Sequence, residues 1–174
     1  MIHYLCSFCQ EELRPPEFPE EKEELVSHGL CRPCLEKAMS KHGRSLSDYL
    51  SQFDEPVIVI DKNGRAITAN AAGQQLLGKE IDEIEGYLGG EIFGCLHAQE
   101  EGGCGETLHC LSCVIRNTVE ETYRTGIPHH RVPACQDLDT VAGPRTTRFI
   151  ISTGKLNHSV LLKIDDIATE KNQI

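Results

Sequence analysis

Eight of the nine cysteines in this chain fall into two groups of four, and each group could hold a metal. The first is Cys6-x2-Cys9-x21-Cys31-x2-Cys34, and the second is Cys95-x8-Cys104-x5-Cys110-x2-Cys113. Thiolates bind soft and borderline metals such as zinc and iron. A CxxC turn lets two sulfurs reach one ion, and a second pair closes a tetrahedron. Two CxxC pairs in the first group point to a structural zinc site, which has four thiolates and no open position for catalysis. His28 stands near enough to replace a ligand, but reads more simply as a turn residue in Ser27-His28-Gly29-Leu30 or a donor to a thiolate.

The second group leaves three readings open. Cys95, Cys104, Cys110 and Cys113 could form a zinc clamp that fastens the loop to the next helix. The same four thiolates could carry an iron–sulfur cluster, although the spacing differs from the common C-x2-C-x2-C-x3-C run. Without a metal, the thiols could act as a reversible redox switch. His97 and His109 lie inside the group as substitute ligands, outer partners or surface residues. Cys135, outside both groups, reads as an inert core thiol. His129 and His130 are adjacent, so on a strand they point to opposite faces and cannot share one ion side by side. A haem on a single inward His is a remote alternative.

The surrounding elements follow from pattern. Apolar residues recur at helical spacing from Leu35 to Phe53, with Ser45 or Ser47 as a cap. Val57–Ile60 is a β-branched strand, Asp61-Lys62-Asn63-Gly64 a hairpin turn with positive φ at Asn-Gly, and Arg65–Ala69 the return strand. Asn70 caps a helix over Ala71–Leu77 that stops at Gly78. A helical turn over Ile81–Tyr87 is expected to end at Gly89-Gly90. The glycine-rich stretch from Ile92 to Cys113 would need a metal to order it. An amphipathic helix over Val114–Thr125 then buries Ile115, Val119 and Thr122 and stops at Gly126. Three strands follow, Ile127–Cys135, Arg145–Ser152 and Ser159–Ile164, joined by loops at Asp137–Pro144 and Gly154–His158. Alternation predicts Val57, Val59, Ile67, Ile150, Val160 and Leu162 on the packed side of the sheet.

The formal net charge of −10 opposes binding to nucleic acid, which needs Lys and Arg facing phosphate. Residues 1–50 share that bias, with six Lys/Arg against nine Asp/Glu. No run of about 20 apolar residues could span a bilayer, and no signal peptide is evident. A cytoplasmic, reduced setting is therefore expected, with cysteines as thiols or metal thiolates. The chain has no G-x-G-x-x-G, G-x-x-x-x-G-K-[ST], H-E-x-x-H or G-x-S-x-G, so no enzyme is indicated.

The run Asp54-Glu55-Pro56-Val57-Ile58-Val59-Ile60-Asp61-Lys62-Asn63-Gly64-Arg65-Ala66-Ile67-Thr68-Ala69-Asn70-Ala71-Ala72 resembles the opening of a PAS sensory domain. There a strand, a D-x-x-G turn and a second strand lead into x-x-N-x-A. Asp166-Ile167-Ala168-Thr169-Glu170 is similar to the D-I-T-E exit of such domains. Ordinary PAS domains lack the Cys95–Cys113 cysteines, so the segment resembles a Cys-rich variant. Ser27-His28-Gly29-Leu30-Cys31-Arg32-Pro33-Cys34 resembles a zinc-ribbon-like segment of bacterial signalling proteins.

The resemblance implies an α+β fold: a PAS-like five-stranded antiparallel sheet with helices on one side, preceded by a zinc-knuckle module. The expected layout is a zinc-binding four-cysteine module over 1–36, a helical linker over 37–53, and a PAS-like domain over 54–170 with a Cys-rich insert at 94–113. It further implies a non-catalytic sensor of a small ligand or redox state. The signal would pass by protein contact to a partner such as a histidine kinase or response regulator, with a homodimer also possible. The alternatives are an iron–sulfur redox sensor or electron carrier, and a zinc-dependent transcription regulator, which the charge disfavours.

Overall fold

The computed structural model describes the backbone of residues 2–6 and 25–29 and the chain from 45 to 169. The chain divides into two units, Met1–Tyr49 and Leu50–Ile174. In the first unit, β1 (Ile2–Cys6) and β2 (Leu25–Gly29) pair in parallel, Ile2 opposite Leu25 and Cys6 opposite Gly29. Ser27–Gly29 is thus strand where the sequence suggests a turn. Cys6 ends β1, while Cys9, Cys31 and Cys34 lie outside the described residues.

Helix α1 (Leu46–Leu50) starts at the expected Ser45. The Asp48 N–H donates to Ser45 Oγ at 3.0 Å, and the Ser45 N–H donates to Asp48 Oδ2 at 3.3 Å. This reciprocal cap satisfies two otherwise orphaned donors.

The second unit is built on five strands: β3 (Val57–Ile60), β4 (Ala66–Ala69), β5 (His129–Thr140), β6 (Gly143–Leu156) and β7 (Ser159–Thr169). They form one antiparallel sheet in the order β4-β3-β7-β6-β5. The β3–β4 turn is organised by Asp61, whose carboxylate accepts from Asn63 N–H at 2.8 Å and Arg65 N–H at 2.9 Å. Gly64 takes positive φ at +78°, whereas Asn63 does not.

Asn70 explains why this position must be an amide. Its Oδ1 accepts from Gly73 N–H at 2.8 Å and Val57 N–H at 3.0 Å. Its Nδ2 donates to the carbonyls of Leu50, Phe53 and Glu55. One buried side chain therefore caps helix α2 (Ala71–Leu77) and fastens it to the start of β3 and the segment before it. Gly78 ends α2 with φ of +61°.

Helix α3 spans Ile81–Ile84, shorter than the turn expected to Tyr87. Gly89-Gly90 does not stop a helix; it opens α4 (Gly89–Phe93). Helix α5 is Leu108–Leu111, and α6 spans Val114–Thr125 with Gly126 as its left-handed cap, as the pattern predicts.

The last three strands run longer than expected. Asp137–Pro144 is not a loop: β5 continues to Thr140 and β6 resumes at Gly143, with Asp139 opposite Pro144. Polar outward residues concealed the pairing. Thr146 Oγ1 donates to Asp137 across the hairpin, and Thr140 Oγ1 donates to the Gly143 carbonyl at 2.6 Å. Strand β7 likewise continues past Ile164 to Thr169. A bulge lies at Ile150/Ile151, which face Asp166 and Ile164, leaving Asp165 as the extra residue.

Ile58, Ile60, Phe149, Ile151, Val160, Leu162 and Ile164 supply the sheet's share of the core, and Ile84, Ile92, Ile115 and Val119 supply the helices' share. Of the six residues predicted on the packed side, only Val160 and Leu162 belong to this cluster. Val57 and Val59 are buried outside it, Ile150 is half-buried, and Ile67 is 39% exposed. Strand β3 is buried at all four positions, so it offers no alternation to read. The Ile150/Ile151 bulge shifts the register of β6. Among the described residues, no helix is long and apolar enough to cross a membrane.

Candidate metal centre

The Cys-rich insert is ordered by short elements that place each cysteine. Gly94 ends α4 with φ of +72°. Cys95 follows, donating its N–H to the Gly90 carbonyl at 2.8 Å and bridging to Leu138 of β5. The Asp139 N–H donates to the Gly94 carbonyl at 2.8 Å, so this part of the insert is tied to the sheet. A 3-10 turn spans Leu96–Gln99. Gly102 and Gly103, both with positive φ, lead into Cys104. Cys110 sits in α5, and Cys113 caps α6, its carbonyl accepting the Asn117 N–H at 3.0 Å.

All four cysteines line one cavity of about 800 Å3. Backbone N–H groups point at three of the sulfurs. Gly90 donates to Cys104 at 3.3 Å and Gly105 to Cys110 at 3.1 Å, while the His97 and Ala98 N–H groups favour the Cys95 thiolate. Thr107 Oγ1 lies 3.2 Å from Cys110 Sγ.

These surroundings set the thiols apart. Burial pushes the Cys95 and Cys104 thiols up. The N–H donors pull back, and negative charge on the other cysteines pushes up again: Cys113 and Cys110 act on Cys95, and Cys110, Cys113 and Cys95 act on Cys104. Burial also opposes ionisation of Cys110. There the Thr107 hydroxyl, the Gly105 and Thr107 N–H groups and the Arg116 charge outweigh it, and the thiol falls below its ordinary value. Cys95 and Cys104 each feel negative charge on the other cysteines, and a metal cation would relieve that repulsion.

Among the described residues, potential ligand atoms of His97, Glu100 and His109 lie within 4.8 Å of one another; no three of the four sulfurs do. His97 and His109 stack with ring centroids 3.7 Å apart and planes 13° off parallel. The stack joins the 3-10 turn after Cys95 to the helix that carries Cys110. His97 Nδ1 lies 2.6 Å from Glu100 Oε1 and Nε2 lies 3.6 Å from Asp137 Oδ2. The hydrogen bond to Glu100 leads the upward shift of the His97 pKa, against burial.

Other residues bear differently on the sequence reading. Cys135 is exposed, not a core thiol, because Ala134 and Gln136 on either side of it take the buried positions of β5. His129 Nδ1 meets Thr122 Oγ1 at 3.0 Å and Nε2 meets Glu121 at 3.3 Å, so both ring nitrogens are engaged. His130 is exposed. Sequence reasoning missed Gly90, Thr107, Gln136 and Arg116. Gln136 is buried, lines the same cavity, and its Oε1 lacks a partner among the described residues. The Gly89-Gly90 pair was the available signal for the first of these, but a glycine pair also marks a helix stop.

No family model matches the chain, and no curated protein matches it in sequence. Similar solved structures are PAS domains. That of the RpfR quorum-sensing receptor from Cronobacter turicensis, in complex with BDSF, is 16% identical and covers 67% of this chain and 96% of its own, with a TM-score of 0.45. The PAS domain of Bordetella pertussis BvgS is 14% identical, covering 72% and 85%, with a TM-score of 0.45. The PAS domain of an HTR-like protein from Haloarcula marismortui is 13% identical, covering 79% and 99%, with a TM-score of 0.42. The observed element order and antiparallel sheet agree with the PAS-like α+β architecture that the sequence resemblance implied.

Proposed function

We propose that residues 50–169 form a sensory module in which Cys95, Cys104, Cys110 and Cys113 hold an iron–sulfur cluster, and that the module reports redox state to a signalling partner. The sulfur spacing carries this reading. Zinc–sulfur bonds of about 2.3 Å place tetrahedral sulfurs a little under 4 Å apart. The four cysteines line one cavity and the charge of the other three acts on Cys104, yet among the described residues no three sulfurs form a group within 4.8 Å. Several iron atoms need wider spacing than one zinc, and the absence of a tight three-sulfur group among the described residues supports the cluster, while ligand type allows either. The N–H groups aimed at Cys95, Cys104 and Cys110 support thiolate ligands in either case.

When bound, a cluster supplies one-electron chemistry with dioxygen or a soluble redox carrier. The chain's own residues supply the relay. Cys113 ends the ligand loop and begins α6, so a change in what its sulfur holds acts on the helix. At the far end, Thr122 Oγ1 meets Thr153 Oγ1 of β6 at 2.6 Å and His129 of β5 at 3.0 Å. The helix thus links the cysteines to the sheet, whose outer surface is the natural face for a partner such as a histidine kinase or response regulator, or a second copy. Cys6, Cys9, Cys31 and Cys34 hold a separate structural zinc. A reduced cytoplasm suits both sites.

Protein purified without oxygen tests the reading. Iron and acid-labile sulfide near about four of each per chain, with a brown colour bleached by dithionite, are expected for a [4Fe–4S] centre. A second zinc in place of iron, or neither metal, would overturn it.

A further inference from the structure

The cluster reading gives no role to Arg116, a cation whose charge reaches Cys110. Arg116 lies on the first turn of α6, half-buried. Its Nη1 donates to the Gly105 carbonyl at 2.7 Å. Gly105 stands between Cys104 and Cys110, at φ of +98°, and its N–H donates to Cys110 Sγ. A Cβ there would make only ordinary contact with the guanidinium carbon, at 3.5 Å, so the positive φ and not Arg116 calls for glycine, while the guanidinium packs directly over this turn. The Arg116 charge acts on Cys110. On the other side, Arg116 Nε pairs with Glu120 Oε1 at 2.8 Å, and Glu120 is the more exposed of the two.

We infer that Arg116 is a positioning residue that also sets the electron affinity of the Cys95–Cys104–Cys110–Cys113 centre, with Glu120 moderating it. This rests on the cluster reading above. Reduction adds one negative charge to a centre that four thiolates already make anionic. A fixed guanidinium beside one ligand favours the reduced form, and its outward carboxylate partner weakens that effect. Lys is a compact point charge and would keep the attraction while losing the fork that holds the Gly105 carbonyl and Glu120 together.

The test is a mediated redox titration of the full chain, prepared anaerobically and followed by absorbance and paramagnetic resonance, with iron and sulfide counted in each sample. Arg116→Gln is expected to lower the reduced-to-oxidised ratio at a fixed potential by about tenfold, or about 59 mV for a one-electron couple. Arg116→Lys should stay closer to the parent. Glu120→Gln should shift the ratio the other way, which loss of loop support alone does not produce. Iron-loaded Arg116→Gln with the parent's potential overturns the inference. So does a Glu120→Gln potential that is unchanged or lower, which decides the matter if Arg116→Gln fails to assemble. Parent protein without iron overturns the cluster reading itself, and this inference with it.

Discussion

Gly90 and Cys104 lie closer than a side chain on residue 90 permits. The Gly90 N–H donates to Cys104 Sγ at 3.3 Å, and a Cβ on Gly90 would stand 2.7 Å from that sulfur and 3.2 Å from Ala98 Cβ. The φ of Gly90 is not in the left-handed region, so the requirement is space. Gly90→Ala should displace Cys104, a proposed ligand, since the obstacle is a sulfur held on a short loop. Metal affinity is expected to fall by about 10–100-fold, the range for lost outer partners of ligands. Iron content with intact circular dichroism would show this; full iron loading would contradict it.

The ligand set predicts a sharp contrast among cysteines. Cys110→Ser removes a buried thiol that accepts from Gly105 and meets Thr107, and should abolish iron binding. Cys135→Ser changes an exposed thiol and should leave iron content and colour unchanged. Iron lost from the second variant and kept by the first would assign the wrong residues.

Thr122 couples α6 to the sheet. Thr122→Val keeps the shape of the side chain but deprives the buried Thr153 hydroxyl of its 2.6 Å partner and His129 of its 3.0 Å partner. The expected cost is about 1–3 kcal/mol, from stranding buried polar groups. Denaturant unfolding measures it, with an unchanged slope indicating that the folded state is otherwise intact.

The Asp165 carboxyl predicts an acid-limb pH dependence. Burial pushes its pKa up, but Lys163 and Ser152, which bond it, and the Lys163 and Arg131 charges bring it below the ordinary 3.8. A depressed folded value means that the group stabilises the fold fully above the unfolded value and loses this as pH falls through the folded one. Asp165→Asn should therefore flatten the fall in stability below about pH 4. Denaturation midpoints across that window report it, and parallel curves for parent and variant would remove Asp165 as the cause. Lys163 acts at the other limit: its bond to Asp165 leads a rise in pKa above 10.5, so its contribution is lost only as pH climbs through that raised value.

The first cysteine group is tested by Cys31→Ser. If Cys6, Cys9, Cys31 and Cys34 share one zinc, the variant should lose about one zinc per chain and the hydrogen-exchange protection of residues 1–36. The unit from Leu50 onward should stay folded. Retained zinc and protection would remove Cys31 from the site.

Local chemistry was legible in the sequence, and long-range contact was not. Asn70, Gly78 and Gly126 bound their helices where caps predict, because a cap is decided within a few residues. The four second-group cysteines line one cavity, but the spacing of their sulfurs is set by packing that the Cys and Gly positions do not encode. The face of β3 was not legible, because burial on both sides erases alternation. Cys135 was misread for a related reason: its hydrophobicity was weighed without the register of β5. The Gly90–Cys104 approach and the His97–His109 stack join positions 14 and 12 residues apart through packing that no local pattern encodes.

Cys113 belongs to two structures at once. It lines the cavity while its carbonyl receives the opening hydrogen bond of α6 from Asn117. If the four cysteines hold a metal as proposed, its affinity and the resistance of the helix to fraying are linked equilibria. Whatever factor a bound metal contributes to closing the first turn of α6, closing that turn contributes to metal binding. A partner that grips the helix could then drain or fill the centre without touching a single cysteine.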